Sequence, residues 1–353
     1  MAANPRTIVR GQAGTGKTVI AIERARQLSK QGGHVLYLCF NKLLAGHIRR
    51  TLANEDQVKN VDVYHAHGLY TEVIQKAGML QRLDSCSPND VDFFSRIYPQ
   101  LFVEAALETE LQGWDVLVVD EAQDLMTPDN IDAFDVMLRD GLTRGRWHMF
   151  LDPNQNIYST LIQDSVKERL SDAHPMYDDL VENCRNTRQV AAQASIISGI
   201  DLALEGAPEG ESCENLYYSS RADFVSQLDA LVARLVKHDV QPKDIAILST
   251  RRRENSMISG KGMIGGCKVL DASDEPAESE RAILFSTMHA YKGLERAVVI
   301  AIDMDEIGQD QWSMLHYAGL SRASALLRTF LPNSCKNVFA AQAKAFGERI
   351  ALS

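Results

Sequence analysis

An α/β fold in two domains, each built on a parallel sheet, is what three features of this 353-residue sequence predict. The first is a glycine-rich loop, Gly11-Gln-Ala-Gly-Thr-Gly-Lys17-Thr18, set between a strand-like run and a helix-like run. The second is an alternation of buried-strand and amphipathic-helix patterns that restarts near residue 175, as in chains of βαβ units. The third is length, which suffices for two domains of ordinary size.

The loop carries the most chemistry. Thr7-Ile-Val reads as a short buried strand before it, and Val19 to Leu28 has helical apolar spacing and good helix formers. In that context Gly11, Gly14 and Gly16 let backbone N–H groups turn inward around an anion, and the helix N-terminus adds partial positive charge. Lys17 is then placed for the β/γ-phosphates and the Thr18 hydroxyl for Mg²⁺.

Composition bounds the rest. Hydrophobic residues make up 45%, enough for sizeable cores. No apolar run reaches the length of a membrane span, and the N-terminus has no signal-peptide pattern. The six cysteines are scattered with no C-x-x-C pair, which fits a reducing cytoplasm and argues against a disulfide frame or a zinc site. A formal charge of −10 disfavours nonspecific nucleic-acid binding, which rests on phosphate neutralisation, so any such surface must be locally basic.

In order along the chain, residues 34–40 form a second strand and Asn41 to Arg50 an amphipathic helix. A third strand over 61–67 ends in His65 and His67, followed by helix and loop over 68–112, read as a small insertion. Trp114-Asp-Val-Leu-Val-Val-Asp120-Glu121-Ala-Gln-Asp124 is a buried strand with two carboxylates at its end. Downstream of a phosphate loop, the first completes a Mg²⁺ shell and the second polarises the attacking water. His148-Met-Phe-Leu-Asp152-Pro-Asn-Gln155-Asn-Ile-Tyr158 is another strand ending in polar groups. Gln155 is a candidate for reporting the γ-phosphate, though an Asp-Pro-Asn turn accounts for the stretch equally well.

Beyond Asn183-Cys-Arg185-Asn-Thr187, Thr187 is placed to cap a helix over 188–197. A helix over 221–237 and a strand over 245–249 follow, then Arg251–Arg253, a glycine-rich stretch (260–266) and an acidic loop (271–280). Strands over 283–286 and 297–302, a helix carrying Tyr317 to Ala323, and a strand over 326–331 complete the pattern.

The ordered set GQAGTGKT, VVDEAQD, LDPNQNIY, NCRNT, STMHAYKGLE and YAGLSRA resembles the motifs of superfamily 1 helicases of the UvrD/Rep type. It is most similar to the compact helicase modules attached to nuclease-related (NERD) domains. That resemblance implies two RecA-like P-loop domains, here 1–174 and 175–353, with ATP and Mg²⁺ between them and single-stranded DNA across both. It gives Asp120 and Thr18 to the metal, Glu121 to catalysis, Gln155 to γ-phosphate sensing, Arg185 and Arg322 to arginine-finger roles, and Glu295 to the ribose. It sets Phe40, Asn41, His65, Tyr158 and His289 towards nucleic acid.

Three departures qualify it. Cys184 stands where relatives carry an adenine-stacking aromatic, and only ten residues precede the loop, without a glutamine motif. Both predict a nucleotide choice less strict than ATP alone. Large accessory insertions are missing, which predicts a minimal motor. The implied activity is 3′-to-5′ translocation or unwinding on single-stranded DNA, with RNA left open. Arg251–Arg253, Lys261, Lys268 and Arg296 are the candidates for its basic surface. Two other readings, favoured by the acidic charge and the missing accessory domains, are a nucleotide-dependent switch that recruits a nuclease or effector protein, and a fragment whose nuclease or effector half lies on another polypeptide.

Overall fold

The computed structural model describes residues 4–53, 58–87, 90, 92–154, 163–274 and 281–352. The chain forms two compact units, Met1–Gly11 with Gly16–Leu180, and Gln12–Thr15 with Val181–Ser353. Each is a parallel or mostly parallel sheet with helices packed against it, so the α/β class read from the alternation is the observed one.

In the first unit, strands β1 (Arg6–Gly11), β2 (Val35–Cys39), β3 (Val61–His65), β4 (Val116–Asp120), β5 (Arg146–Leu151) and β6 (Met176–Leu180) form a parallel sheet in the order β3-β2-β4-β5-β1-β6. The helices are α1 (Lys17–Lys30), α2 (Lys42–Ala53), α3 (Ala66–Lys76), α4 (Leu80–Asp84), α5 (Tyr98–Glu108), α6 (Pro128–Met137), α7 (Gly141–Arg144) and α8 (Asp164–Asp172). Strands β2 and β4 are buried along their whole length, as in sheets covered on both faces. Side chains alternate along a strand. Leu36, Leu38, Leu117 and Val119 therefore enter one core with Tyr70 of α3, Phe102 of α5 and Phe134 of α6. Tyr37, Cys39, Val118 and Asp120 take the opposite face, and α1 packs against β4. Residues 68–112 supply most of α3 and all of α4 and α5, and Val73, Phe102 and Ala105 from that stretch are buried in the same core.

The second unit holds α9 (Arg188–Ser198), β7 (Glu214–Tyr218), α10 (Arg221–Lys237), β8 (Ile245–Ser249), β9 (Met263–Ile264), β10 (Cys267–Asp271), β11 (Ala282–Thr287), β12 (Arg296–Ile302), α11 (Asp310–Leu320), β13 (Ala323–Pro332) and α12 (Lys336–Leu352). Its sheet runs β7-β13-β12-β8-β11-β10-β9, parallel except for the β9–β10 pair. Val299 and Ala301 of β12 face a core shared with α9 and α11, and Val298, Ile300 and Ile302 face one shared with α10.

Element limits follow the pattern where amphipathicity is strong, as at α10, β8 and the Thr187 cap, whose hydroxyl accepts from Val190 N. They differ at five elements. The third strand stops at His65, because α3 begins at Ala66. Strand β9 lies inside the glycine-rich stretch and β10 between it and the acidic loop, where apolar alternation is too short to register. Strand β7 and helix α12 carry too weak an apolar pattern to be separated from loop by sequence. No described helix is long and apolar enough to cross a membrane, and the six cysteines are free thiols.

One buried polar network ties α1 to the sheet. His148 on β5 is cross-strand partner of Thr7 on β1, with Nδ1 2.8 Å from the Thr7 hydroxyl, and its Nε2 accepts from Arg24 Nε at 3.2 Å. Burial, followed by the charges of Arg24 and Arg146, lowers His148 from 6.5 to about 3. The folded chain keeps this ring neutral while the unfolded chain protonates it. Its stabilising contribution is thus intact above about pH 6.5 and lost progressively as pH falls towards 3, at roughly 1.4 kcal/mol per pH unit. Urea unfolding of His148→Gln between about pH 6 and pH 4 is expected to show a pH slope shallower by about one proton; equal slopes would exclude this linkage.

Candidate functional site

The residues that converge in the first unit do so at the carboxyl edge of its sheet, where ligands bind in parallel α/β folds. Strand β1 ends at Gly11 and the chain enters the loop, with Gly14 at φ +90° and Gly16 at φ +83° as the left-handed N-cap of α1. Glycine alone takes such angles without steric cost. Lys17, on the first turn, is 7% exposed. Its Nζ donates to Gly11 O at 2.7 Å and stands 3.7 Å from Asp152 Oδ2, at the end of β5.

Strand β5 lies between β1 and β4 in the sheet, which brings Asp152 between the loop and the acidic pair. Asp120, the last residue of β4, is fully buried. Its Oδ1 accepts from Glu121 N at 2.9 Å, its Oδ2 from the Tyr37 hydroxyl at 2.9 Å, and Thr18 shares a side-chain hydrogen bond with it. Burial first, and Glu121 second, raise the Asp120 carboxyl from 3.8 to about 6. A carboxylate and a hydroxyl already hydrogen-bonded to each other are hard oxygen donors. They suit Mg²⁺, which takes one or two protein oxygens and fills its shell with water and phosphate. Among the described residues no group of three or more His, Cys, Asp or Glu side chains is arranged to hold a metal without such help.

Glu121 follows in the left-handed region at φ +51°, a conformation that costs a non-glycine residue about 1–2 kcal/mol. The kink turns the chain out of β4 into the short turn Ala122–Asp124. There Gln123 is buried, with Nε2 donating to Glu121 Oε2 at 2.6 Å and Oε1 accepting from Asp152 N at 2.9 Å. Gln123, Tyr37 and Asp152 are members of this cluster that sequence reasoning gave no role. The DEAQD motif holds Gln123 in plain view, whereas Tyr37 and Asp152 depend on cross-strand placement.

Asn41 and His65 occupy the same edge, at the ends of β2 and β3. Asn41 Oδ1 caps α2 by accepting from Leu43 N and Leu44 N at 2.8 and 3.2 Å. His65 precedes α3 as its N-cap, half-buried, with its pKa lowered by burial and then by Lys42 and Arg49. Phe40 packs edge-on against His67. Gln155 and Tyr158 lie outside the described residues.

In the second unit Arg185, Glu295 and Arg322 come together. Arg185 Nε pairs with Glu295 Oε2 at 2.6 Å. The loop holding Arg185 is an Asn turn, with Asn183 Oδ1 accepting from Arg185 N and Asn186 N at 3.1 and 3.0 Å. Asn186 Nδ2 then donates to Ser321 O at 2.8 Å and Ala323 O at 2.5 Å, on either side of Arg322. Arg322 is 2% exposed, and its Nε donates to Ala318 O at 2.7 Å. Residues Gln12–Thr15 pack with this unit through Ala13 N to the Tyr317 hydroxyl at 3.0 Å and Cys184 N to Gly14 O at 2.9 Å. His289 lies half-buried just beyond the carboxyl end of β11, its pKa lowered by burial and then by Lys292.

The expected basic run is not a uniform cationic surface. Arg251 is ion-paired with Asp305, and Arg253 pairs with Asp271 at 3.4 Å and donates to Lys261 O and Val269 O. A row of positive letters says nothing of the carboxylates that folding brings beside it.

Gln123→Leu removes one hydrogen bond from the Glu121 carboxylate and one from the Asp152 N–H. A loss of about 2–4 kcal/mol is expected in urea unfolding; a change under about 0.5 kcal/mol would mean that water replaces both bonds.

Comparison with known families adds a name to this architecture. The profile of the Schlafen group 3 DNA/RNA helicase domain matches residues 6–250. No curated protein matches the chain. Among solved structures, arterivirus nonstructural protein 10, a helicase, is similar both alone and in complex with DNA, each at a TM-score of 0.46 and 13% identity. The matches cover 96% of this chain and 61% and 63% of those chains, so it spans about three fifths of their length. On the extent of the profile match, the chain belongs to the Schlafen group 3 DNA/RNA helicase domain family.

Proposed function

We propose that this chain is an ATP-hydrolysing nucleic-acid motor. The finer reading is a 3′-to-5′ helicase or translocase on single-stranded DNA, patterned on UvrD/Rep enzymes and NERD-attached modules. Its main support is the cluster at the carboxyl edge of the first sheet: Lys17, Thr18, Asp120 and Glu121 within one hydrogen-bonded neighbourhood. In this reading Gly11, Gly14, Gly16 and Lys17 hold the phosphates. Thr18 and Asp120 hold Mg²⁺, which when bound neutralises charge on the phosphates. Glu121, fixed by Gln123, accepts a proton from the attacking water. Arg185 and Arg322 stabilise charge developing on the γ-phosphate. Glu295 takes the ribose, and Gln155 senses the γ-phosphate. The Arg185–Glu295 ion pair must open before both side chains act on nucleotide. Asn41, His65, Tyr158 and His289 belong to the nucleic-acid surface, and the two units act as the motor's RecA-like domains.

Net charge of −10 and the local pairing of Arg251 and Arg253 favour a second reading, a nucleotide-dependent switch that recruits a nuclease or effector protein. Steady-state ATP hydrolysis with and without single-stranded DNA and RNA separates the two. The motor reading expects stimulation by DNA of about tenfold or more; turnover indifferent to both strands would replace it with the switch. Glu121→Gln is expected to retain nucleotide binding while losing about a hundredfold or more in turnover. Arg322→Lys keeps the buried charge but not the planar fork, and is expected to lose turnover with binding within a few-fold. Loss of nucleotide binding in both variants would overturn these assignments.

A further inference from the structure

We infer that Tyr37 is a positioning residue for metal-assisted nucleotide binding. Through its hydroxyl it fixes the Asp120 carboxylate in the orientation that lets Mg²⁺ couple to nucleotide. The inference deepens the nucleotide-site reading and rests on it.

The placement follows from strand register. Tyr37 on β2 is cross-strand partner of Val118 on β4, and Asp120 is two residues further along. Period-two alternation puts Tyr37 and Asp120 on one face of the sheet as diagonal neighbours, a separation that an aromatic side chain spans. Both are fully buried. The phenol donates to Asp120 Oδ2 at 2.9 Å, while Oδ1 takes Glu121 N–H at 2.9 Å.

An ionised carboxylate offers about four lone-pair sites. Glu121 N–H, the Tyr37 hydroxyl and Thr18 engage three of them. The first bond comes from Asp120's own neighbour, and the Thr18 hydroxyl is the group a metal would recruit. That leaves Tyr37 as the anchor independent of ligand, which sets the rotation of the carboxylate plane and keeps Asp120 competent when Thr18 turns to the metal. Among the described residues the hydroxyl of Tyr37, in the middle of a fully buried strand, hydrogen-bonds to Asp120 alone.

The test is the metal dependence of nucleotide affinity. Binding of the fluorescent nucleotide mant-ADP to the full chain is measured with excess Mg²⁺ and with EDTA, and the ratio of the two dissociation constants is taken as the coupling. Tyr37→Phe retains the packed ring, so it is expected to bind within about twofold of wild type in EDTA and to lose about tenfold of the coupling. Tyr37→4-aminophenylalanine, a weaker donor of the same shape, is expected to fall between the two, and serves alone if Tyr37→Phe fails to fold. Unchanged coupling in either variant, or equal loss with and without Mg²⁺, overturns the inference. Absence of mant-ADP binding by the wild-type chain would instead overturn the nucleotide-site reading, and this inference with it.

Discussion

A charged carboxylate buried at the end of a central strand is the constraint around which the first unit is arranged. Asp120 has no access to solvent, and an ionised group in such a place is tolerated only when donors satisfy it. The donors come from three directions: the following backbone N–H, the phenol of Tyr37 on the neighbouring strand, and Thr18 on the helix above. Strands β2 and β4 and helix α1 are thereby locked in one relative placement. Desolvation, with the neighbouring Glu121 charge, still outweighs the donors and raises the Asp120 carboxyl. A divalent cation, as proposed for this position, would relieve that cost.

Around this centre the polar groups are arranged as a chain. Lys17 meets Asp152, whose backbone N–H meets Gln123, whose amide meets Glu121 beside Asp120. The chain closes because β5 intervenes between β1 and β4. With those two strands adjacent, Lys17 would have no Asp152 beside it and Gln123 no second partner. The left-handed residue Glu121 leads directly into the buried turn, whose Gln123 amide bonds back to the Glu121 carboxylate.

The second unit solves a different problem, keeping long cationic side chains ordered. Arg322 is sunk into its own helix end, and Arg185 is steadied by Glu295. The Asn183–Asn186 turn grips the backbone flanking Arg322, so two segments more than a hundred residues apart in sequence are fixed together by side-chain amides. Arg251 and Arg253 show the opposite case, arginines whose carboxylate partners arrive only with folding.

The sequence alone determined what depends on local order. Spacing defined the phosphate loop, the apolar run before Asp120 and Glu121, the amphipathic stripe of α10 and the Thr187 cap, because each rests on residues within a few turns of one another. Tertiary structure decided what depends on strand order and register. It alone set Tyr37 against Asp120, Asp152 against Lys17 and Asn186 against the Arg322 segment, and it formed β9 and β10 where the sequence showed no strand. Periodicity reports which face a side chain takes. Which strand lies beside that face is settled only when the sheet closes around a shared core, and most of the partners at this site are chosen there.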